Sequence, residues 1–432
     1  MPETKNGKAI LRNLFAHVMR ELDISRVLDR IRPRIDGHIE SGGRLPTRLI
    51  AFGKAAVPMS EWLLGEYGPG VVQGVLCAPD SPSREWPGIR CFRGGHPVPN
   101  QDSLRAGRAA LEMAHAAGEG DLVVFLISGG GSALFESPLR PLIGLDDLRR
   151  LNHVLVTCGA DIVEINVVRK HVSAVKGGRL AEAAYPARQL TLYISDVPDG
   201  YASSVASGPT MPDESTLDDL RGVISTHGLE DKLPAALGSL LGDPALPETP
   251  KPGEVCFSNS KWICVLENRH AIDEAVRFAE DKGWRTVVDS SVDDADVGAA
   301  AEYLLERLRR LGDSVSNGPV CVVSGGELSS PVWGDGTGGR NQAFVLDCVR
   351  RVSGERITVL SAGTDGIDGN SPAAGAVADG STVDRARSHG MDPAEYYARS
   401  DSYSFFKRLG DDITCGATRN NVRDIRVLVL WR

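Results

Sequence analysis

The eight cysteines contain no CxxC pair. Cys77, Cys91, Cys158, Cys256, Cys264, Cys321, Cys348 and Cys415 are scattered and sit mostly in apolar runs, where cysteine is usually a small core residue. That spacing argues against a disulfide framework and against a zinc site. No apolar run is long enough to cross a bilayer, so no membrane partner is expected. Positive charge is not in excess, because 48 Lys and Arg face 57 Asp and Glu for a net charge of −9. A general nucleic-acid binder needs a basic face, so that class is disfavoured, whereas a small anionic ligand needs only local positive charge. The pattern GxxxxGK followed by Ser or Thr is missing, which excludes a Walker-type loop. The opening residues hold no signal-peptide apolar core, so a cytoplasmic protein is expected.

At 432 residues the chain is long for one core, and two domains are expected. Short apolar runs predict strands at Arg48–Phe52, Val71–Ala78, Leu122–Ile127 and Gln189–Ser195. Helical spacing predicts helices at Ala9–Leu22, Ala56–Tyr67, Leu145–Cys158 and Asp161–Ala174, and another, capped by Asp102 or Ser103, that ends near Ala117. The second half repeats the rhythm, with strands near Trp262–Leu266 and at Arg285–Val288, Val320–Val323, Ile357–Ser361 and Ile425–Leu430. Such alternation defines an α/β fold with a parallel sheet. Leu241–Gly253 holds four prolines. The domain boundary is placed there, giving 1–245 and 246–432, with the last strand free to return to the first domain.

The 48 glycines cluster at strand ends. LVVFLI (Leu122–Ile127) runs straight into Ser128, Gly129, Gly130, Gly131 and Ser132. An unbroken apolar run reads as a strand buried on both faces, and the loop after it can offer backbone N–H groups to phosphate. A tight turn that merely needs small residues is the competing reading. The loop recurs as Ser324-Gly325-Gly326-Glu327 and, more loosely, as Ser361-Ala362-Gly363-Thr364-Asp365. Lys54 follows a strand and Gly53, where it would project at the sheet edge as a point charge for phosphate or carboxylate, unless it is an ordinary solvated lysine. Asp196 ends a strand, where a carboxylate can accept a proton, hold a metal or simply cap a turn. Glu327 follows a glycine turn, and Asp365 and Asp368 look like part of a metal loop. Arg340 and Asn341 open a helix beside glycines, a place from which an arginine can clamp carboxylate or phosphate. Gly334–Gly339 fits GxGxxG, but Pro331 and its polar neighbours spoil the strand that a dinucleotide fingerprint needs. His96 and His171 have no metal-ligand spacing.

Taken together the pieces resemble the glycerate 2-kinase family, whose members were often labelled hydroxypyruvate reductases and carry a MOFRL-type C-terminal domain. The matching segments are FGKAA (Phe52–Ala56), GGHPVPN (Gly94–Asn100), SGGGSAL (Ser128–Leu134), KHVSAVKGGRLA (Lys170–Ala181), SDV (Ser195–Val197) and VASGPT (Val205–Thr210). They continue with SGGE (Ser324–Glu327), GGRNQ (Gly338–Gln342) and AGTDGIDG (Ala362–Gly369). The resemblance covers almost the whole chain. It implies a Rossmann-like N-terminal domain, a smaller C-terminal α/β domain and a cleft between them. It also implies ATP- and Mg²⁺-dependent phosphorylation of D-glycerate, or a closely related small hydroxy acid, at the 2-hydroxyl, by a monomer or homodimer. Lys54, Asp196 and Arg340 match its catalytic or substrate positions. Glycines 129–131, 325 and 326, with Ser128 and Ser132, are expected to hold phosphate. Lys170, Asn341 and Arg419 are expected at the substrate, and Asp196, Glu327 and Asp365 at the metal. The other reading is an NAD(P)H-dependent hydroxypyruvate reductase, supported by the old label and the formal GxGxxG.

Three segments depart from the family pattern. After Asp196 the family usually runs VPGDDP, and here Val197-Pro198-Asp199-Gly200-Tyr201-Ala202 lacks one acid. Near the C-terminus Arg419 stands where a glycine is usual, and in the cleft it would select a substrate with an extra anionic group. Leu266–His270 is bulkier and more charged than expected.

Overall fold

The computed structural model describes residues 6–39, 46–82, 84–198 and 200–432, so Asp199 lies outside the described residues. The chain divides into two compact units. One runs from Val27 to Val265, and the other joins the N-terminal residues up to Arg26 to Leu266–Arg432. This differs from the expected boundary at both ends. The proline-rich stretch is not a linker, because Leu246 and Thr249 are buried and the Thr249 hydroxyl donates to Asp213 at 2.9 Å. At the other end the helix Gly7–Glu21 belongs with the C-terminal residues. Lys8 reaches Asp411, and Arg12 donates to the carbonyls of Gly410 and Asp412. No helix among the described residues is long and apolar enough to cross a membrane.

The strands of the first unit are β1 (Thr47–Phe52), β2 (Val71–Ala78), β3 (Ile89–Arg93), β4 (Leu122–Ile127), β5 (Arg188–Ile194) and β6 (Ser260–Leu266), in the spatial order β3-β2-β1-β4-β5-β6. β1 pairs in parallel with β2 and β4, and β4 with β5. The order runs outward in opposite directions from β1 and β4. Their carboxyl ends therefore form the switch point at which open α/β sheets bind ligands. Phe52 lies opposite Ile127, so Gly53-Lys54 and Ser128-Gly129 leave the sheet side by side.

All six residues of β4 are buried, as its unbroken apolar run requires. Val123, Phe125 and Ile127 pack into a core with Ala106, Ala110 and Met113 of the helix Gln101–His115. Truncating a fully buried Phe125 to Ala should cost about 3–5 kcal/mol. That helix is capped by Asn100 rather than by Asp102 or Ser103. Asn100 Oδ1 accepts from the Ser103 N–H at 2.9 Å, and Ser103 Oγ accepts from the Asn100 N–H at 3.2 Å.

The second unit carries β7 (Arg285–Val288), β8 (Val320–Gly326), β9 (Ile357–Gly363), β10 (Gly375–Asp379), β11 (Asp412–Ile413) and β12 (Asp424–Leu430), in the order β11-β10-β9-β12-β8-β7. The sheet is mixed. β7 and β8 are parallel, and β12 runs antiparallel between β8 and β9. The last strand thus completes its own unit's sheet instead of returning to the first. Its opening residue, Asp424, pairs across to Gly326 on one side and Gly363 on the other. This places a carboxylate where both glycine-ended strands stop.

Candidate active site

In the first unit the loops after β1, β4 and β5 meet. The Lys54 N–H donates to Gly129 O at 3.0 Å, and the Ala55 N–H donates to Ser128 Oγ at 3.0 Å. The two loops at the switch point are therefore tied to each other. Gly130 turns in the left-handed region (φ 79°), and a Cβ there would come 2.9 Å from the His96 ring and 3.4 Å from Lys54 Cγ. Gly129 serves a close approach instead, since a Cβ on it would lie 2.2 Å from Asp196 Oδ2. Lys54, His96, Asp196 and the glycine loop are thus brought together, as the sequence suggested for all but His96.

The hydroxyls of this loop are already engaged, Ser128 with Ala55 and Ser132 with Ser207 Oγ at 2.8 Å. The N–H groups of Gly129, Gly130 and Ser132 meet no acceptor among the described residues, and Lys54 Nζ has no ion pair among them. Three open donors beside a lysine make an anion seat. Partial burial, with the neighbouring Lys54 charge, holds the His96 imidazole below its ordinary range.

The second SGG loop is built differently. The Gly325 N–H donates to Ser290 Oγ (3.0 Å), the Gly326 N–H to Asn268 Oδ1 (3.0 Å) and the Glu327 N–H to Asp293 Oδ1 (2.9 Å). Its donors are spent inside the protein, which corrects the expectation that Gly325 and Gly326 cradle phosphate. Glycine is needed there for packing, because a Cβ on Gly325 would sit 1.9 Å from Asn268 Oδ1.

Arg340 opens the helix Arg340–Arg351 and holds two carboxylates. Its Nε donates to Asp424 Oδ2 at 2.6 Å, and a terminal nitrogen lies 2.9 Å from Glu327 Oε1. Burial works against this guanidinium, but Asp424 and Glu327 outweigh it and raise its pKa. Asp368 fills the N-terminus of that helix, accepting from the Asn341 N–H at 3.0 Å and the Gln342 N–H at 2.8 Å. Burial pushes the Asp368 carboxyl up to about 6, against the pull of those donors. A cavity of about 540 Å³ opens beside Arg340, walled by Asp365, Asp368, Trp333 and Tyr397 among others.

Two expected substrate contacts are instead internal. Asn341 is buried, its carbonyl accepting from Ser361 Oγ at 2.6 Å and its amide donating to Asp368 at 3.3 Å. Lys170 is buried with Nζ 2.9 Å from Asp213 Oδ1. Burial and these bonds leave neither side chain a surface for a substrate. Arg419 is exposed, holds a left-handed backbone (φ 60°) and does not line the cavity beside Arg340. The left-handed turn explains why a glycine suits that position.

Glu327 and Asp365 lie in the second unit and Asp196 in the first. Among the described residues no three His, Cys, Asp or Glu side chains converge as a metal-binding group. The donor set still fits magnesium, which is usually bound through one or two carboxylates with phosphate oxygens and water. The carboxylates of Asp424, Glu327 and Asp368 all act on Arg340, while Arg423 and Arg426 lie within electrostatic reach of Glu327 and Asp424, so the cluster mixes both signs of charge. The GxGxxG stretch follows no strand, and Gly334, Gly336 and Gly338 press on Arg399, Asp401 and Ser402, so it is not a dinucleotide turn.

Asp424 was missed from sequence as the partner of Arg340. Its signal is an acid at the first residue of a strand, which means nothing until that strand is known to lie between β8 and β9. Asp293 and Arg423, paired bidentately at 2.7 Å, carry no local signal at all.

Open donors and an unpaired lysine at a parallel-sheet switch point, with an arginine–carboxylate cluster in a second α/β unit, define a protein built to handle phosphorylated small molecules. The chain belongs to the glycerate 2-kinase family. Residues 10–242 match a domain of unknown function, DUF4147, and residues 320–424 match the MOFRL family. A D-glycerate 2-kinase from Thermotoga maritima is 35% identical over 384 residues, covering 87% of this chain and 89% of that protein. A relative from Agrobacterium vitis that bears a hydroxypyruvate reductase name is 35% identical, with 94% of each chain covered. The crystal structure of a glycerate kinase from Thermotoga maritima superposes with a TM-score of 0.88 at 31% identity, covering 99% of this chain and all of that one.

Proposed function

We propose that this protein transfers the terminal phosphoryl group of ATP to the 2-hydroxyl of D-glycerate, giving 2-phosphoglycerate and ADP. The observation that carries the reading is the set of open N–H groups on Gly129, Gly130 and Ser132 beside unpaired Lys54, at the switch point of the sheet.

Phosphoryl transfer asks a protein mainly for positioning and for neutralisation of charge. Lys54 and the loop N–H groups would bind phosphoryl oxygens. Asp196, packed on Gly129, would orient the acceptor hydroxyl and accept its proton. Arg340 is the third catalytic residue in this assignment. It is held in place by Asp424 and Glu327, and from that position its guanidinium would meet an oxygen of the transferring phosphoryl group. Magnesium would be held by Asp196 in the first unit, or by Glu327 and Asp365 in the second, together with phosphate oxygens and water, and would supply charge neutralisation. ATP as donor fits a cytoplasmic setting. The reductase reading loses its sequence basis with the GxGxxG stretch, which packs on residues 399–402.

The test is a coupled ADP-release assay with ATP and D-glycerate on the wild type, Lys54→Ala and Arg340→Ala. Removing one preorganised charged contact should lower kcat by about 10²-fold or more. Near-normal turnover in both variants would overturn the assignment.

A further inference from the structure

A second cavity, of about 250 Å³, lies in the first unit directly behind the glycine loop. Gly130 and Ser132 of the loop line it, together with His96, Glu136, Asn152 and Arg169. Gly130 and Ser132 are thus shared between this cavity and the anion seat. A ligand in the cavity would present its near end to the phosphate-binding donors.

Charge identifies the ligand. Arg169 closes the helix Ile162–Val172, and one of its terminal nitrogens donates to Asn152 Oδ1 at 2.7 Å. No carboxylate among the described residues comes within ion-pair distance of it. Glu136 is the acid that lines the same cavity, but it is already occupied. Lys176 and Ser173 donate to it, as does the N–H of Ser137 at 2.9 Å. Burial disfavours the Arg169 guanidinium and the charge of Glu136 offsets part of that from beyond ion-pair distance, so its open N–H donors still call for an anion in direct contact. Its fork geometry matches a carboxylate. Leu148, Leu151 and Leu155 line the remainder, so the cavity suits a compact organic acid and is too small for a nucleotide.

We propose that Arg169, oriented by Asn152, is the carboxylate anchor of the acceptor hydroxy acid, and that this cavity is the acceptor subsite. The inference rests on the kinase reading. With the carboxylate on Arg169, the carbon skeleton lies along the leucine wall and a hydroxyl faces Gly130 and Ser132. Arg340, held in place by Asp424 and Glu327, is then free of that duty. Specificity follows from the same geometry: an acceptor lacking the carboxylate leaves the guanidinium unpaired.

The test uses the full chain as wild type, Arg169→Gln and Arg169→Lys. Each is assayed for ADP release with D-glycerate and with glycerol, which lacks the carboxylate, and for D-glycerate binding by calorimetry. Arg169→Gln should raise the KM for D-glycerate by about 10- to 100-fold while leaving the KM for ATP within about twofold, and should collapse the preference for D-glycerate over glycerol. Arg169→Lys, which keeps the charge and loses the fork, should fall between. An unchanged glycerate KM in a folded Arg169→Gln protein would overturn the subsite. Should Arg169→Gln fail to fold, Arg169→Lys and Asn152→Ala decide by the same KM split. If the wild type releases no ADP with glycerate, the kinase reading fails. Calorimetry then decides the anchor alone, supported by glycerate binding that is lost in Arg169→Gln and refuted by binding that persists or never appears.

Discussion

Gly129→Ala isolates the position of Asp196 from everything else in the loop. Gly129 does not use the left-handed region, so alanine meets no backbone penalty there. The added methyl would stand 2.2 Å from Asp196 Oδ2 and 2.8 Å from its Cγ, where ordinary contact begins at 3.4 Å. The carboxylate must therefore retreat by about 1 Å, a displacement that costs about 10²-fold when it misplaces a reacting group. Swinging one half-buried carboxylate off its rotamer costs only about 0.5–1.5 kcal/mol, so the fold should survive. The expected result is a kcat in the ADP-release assay lowered by about two orders of magnitude, with a melting temperature close to wild type. Gly65→Ala is the control. It lies within the helix Ala56–Tyr67 with nothing within 4 Å of an added Cβ, and should stabilise by about 0.5–1 kcal/mol at full activity. A Gly129→Ala enzyme with wild-type turnover would refute the role given to Asp196.

Other perturbations separate structure from chemistry. Arg340→Ala should destabilise by about 3–5 kcal/mol, because Asp424 is buried and would lose its partner; Asp424→Asn added to it should recover part of the stability, measured by denaturation, and none of the turnover. Lys176→Met should cost a similar amount, about 3–5 kcal/mol in urea unfolding, by leaving Glu136 buried without its cation. Asp368 sets a pH dependence. Its folded pKa, near 6, is above the ordinary carboxyl value of 3.8, so its contribution to stability is present below that value and is lost as pH rises through about 6. The loss amounts to about 3 kcal/mol, and Asp368→Asn should flatten the stability profile across that window.

Much of the fold was written locally. The six-residue apolar run Leu122–Ile127 could only be a strand buried on both faces, and it is. Strands β2 and β7 begin and end where the apolar runs do. β3 escaped notice because its residues are mostly exposed, and β10 because Gly375–Asp379 is built of small residues around one valine. The domain boundary was misplaced for a physical reason. Prolines break secondary structure, but they do not prevent a segment from packing, as buried Leu246 and Thr249 show.

The site was legible only as separate parts. Two loops of nearly the same sequence, Ser128–Gly131 and Ser324–Gly326, have different roles, since the first leaves donors open and the second spends them on Ser290 and Asn268. No local pattern distinguishes them, because the acceptors come from residues far away in the chain. Lys170 and Arg169 are sequence neighbours in a basic segment, yet one is sealed against Asp213 and the other lines a cavity. Only the helix that carries them decides which faces where.

The most direct measurement is to incubate the full chain with ATP, magnesium and D-glycerate and to identify the phosphorylated carbon of the product by NMR while counting ADP. The account predicts 2-phosphoglycerate formed one for one with ADP. Hydroxypyruvate-dependent oxidation of NAD(P)H, with no ADP released from ATP and glycerate, would contradict it.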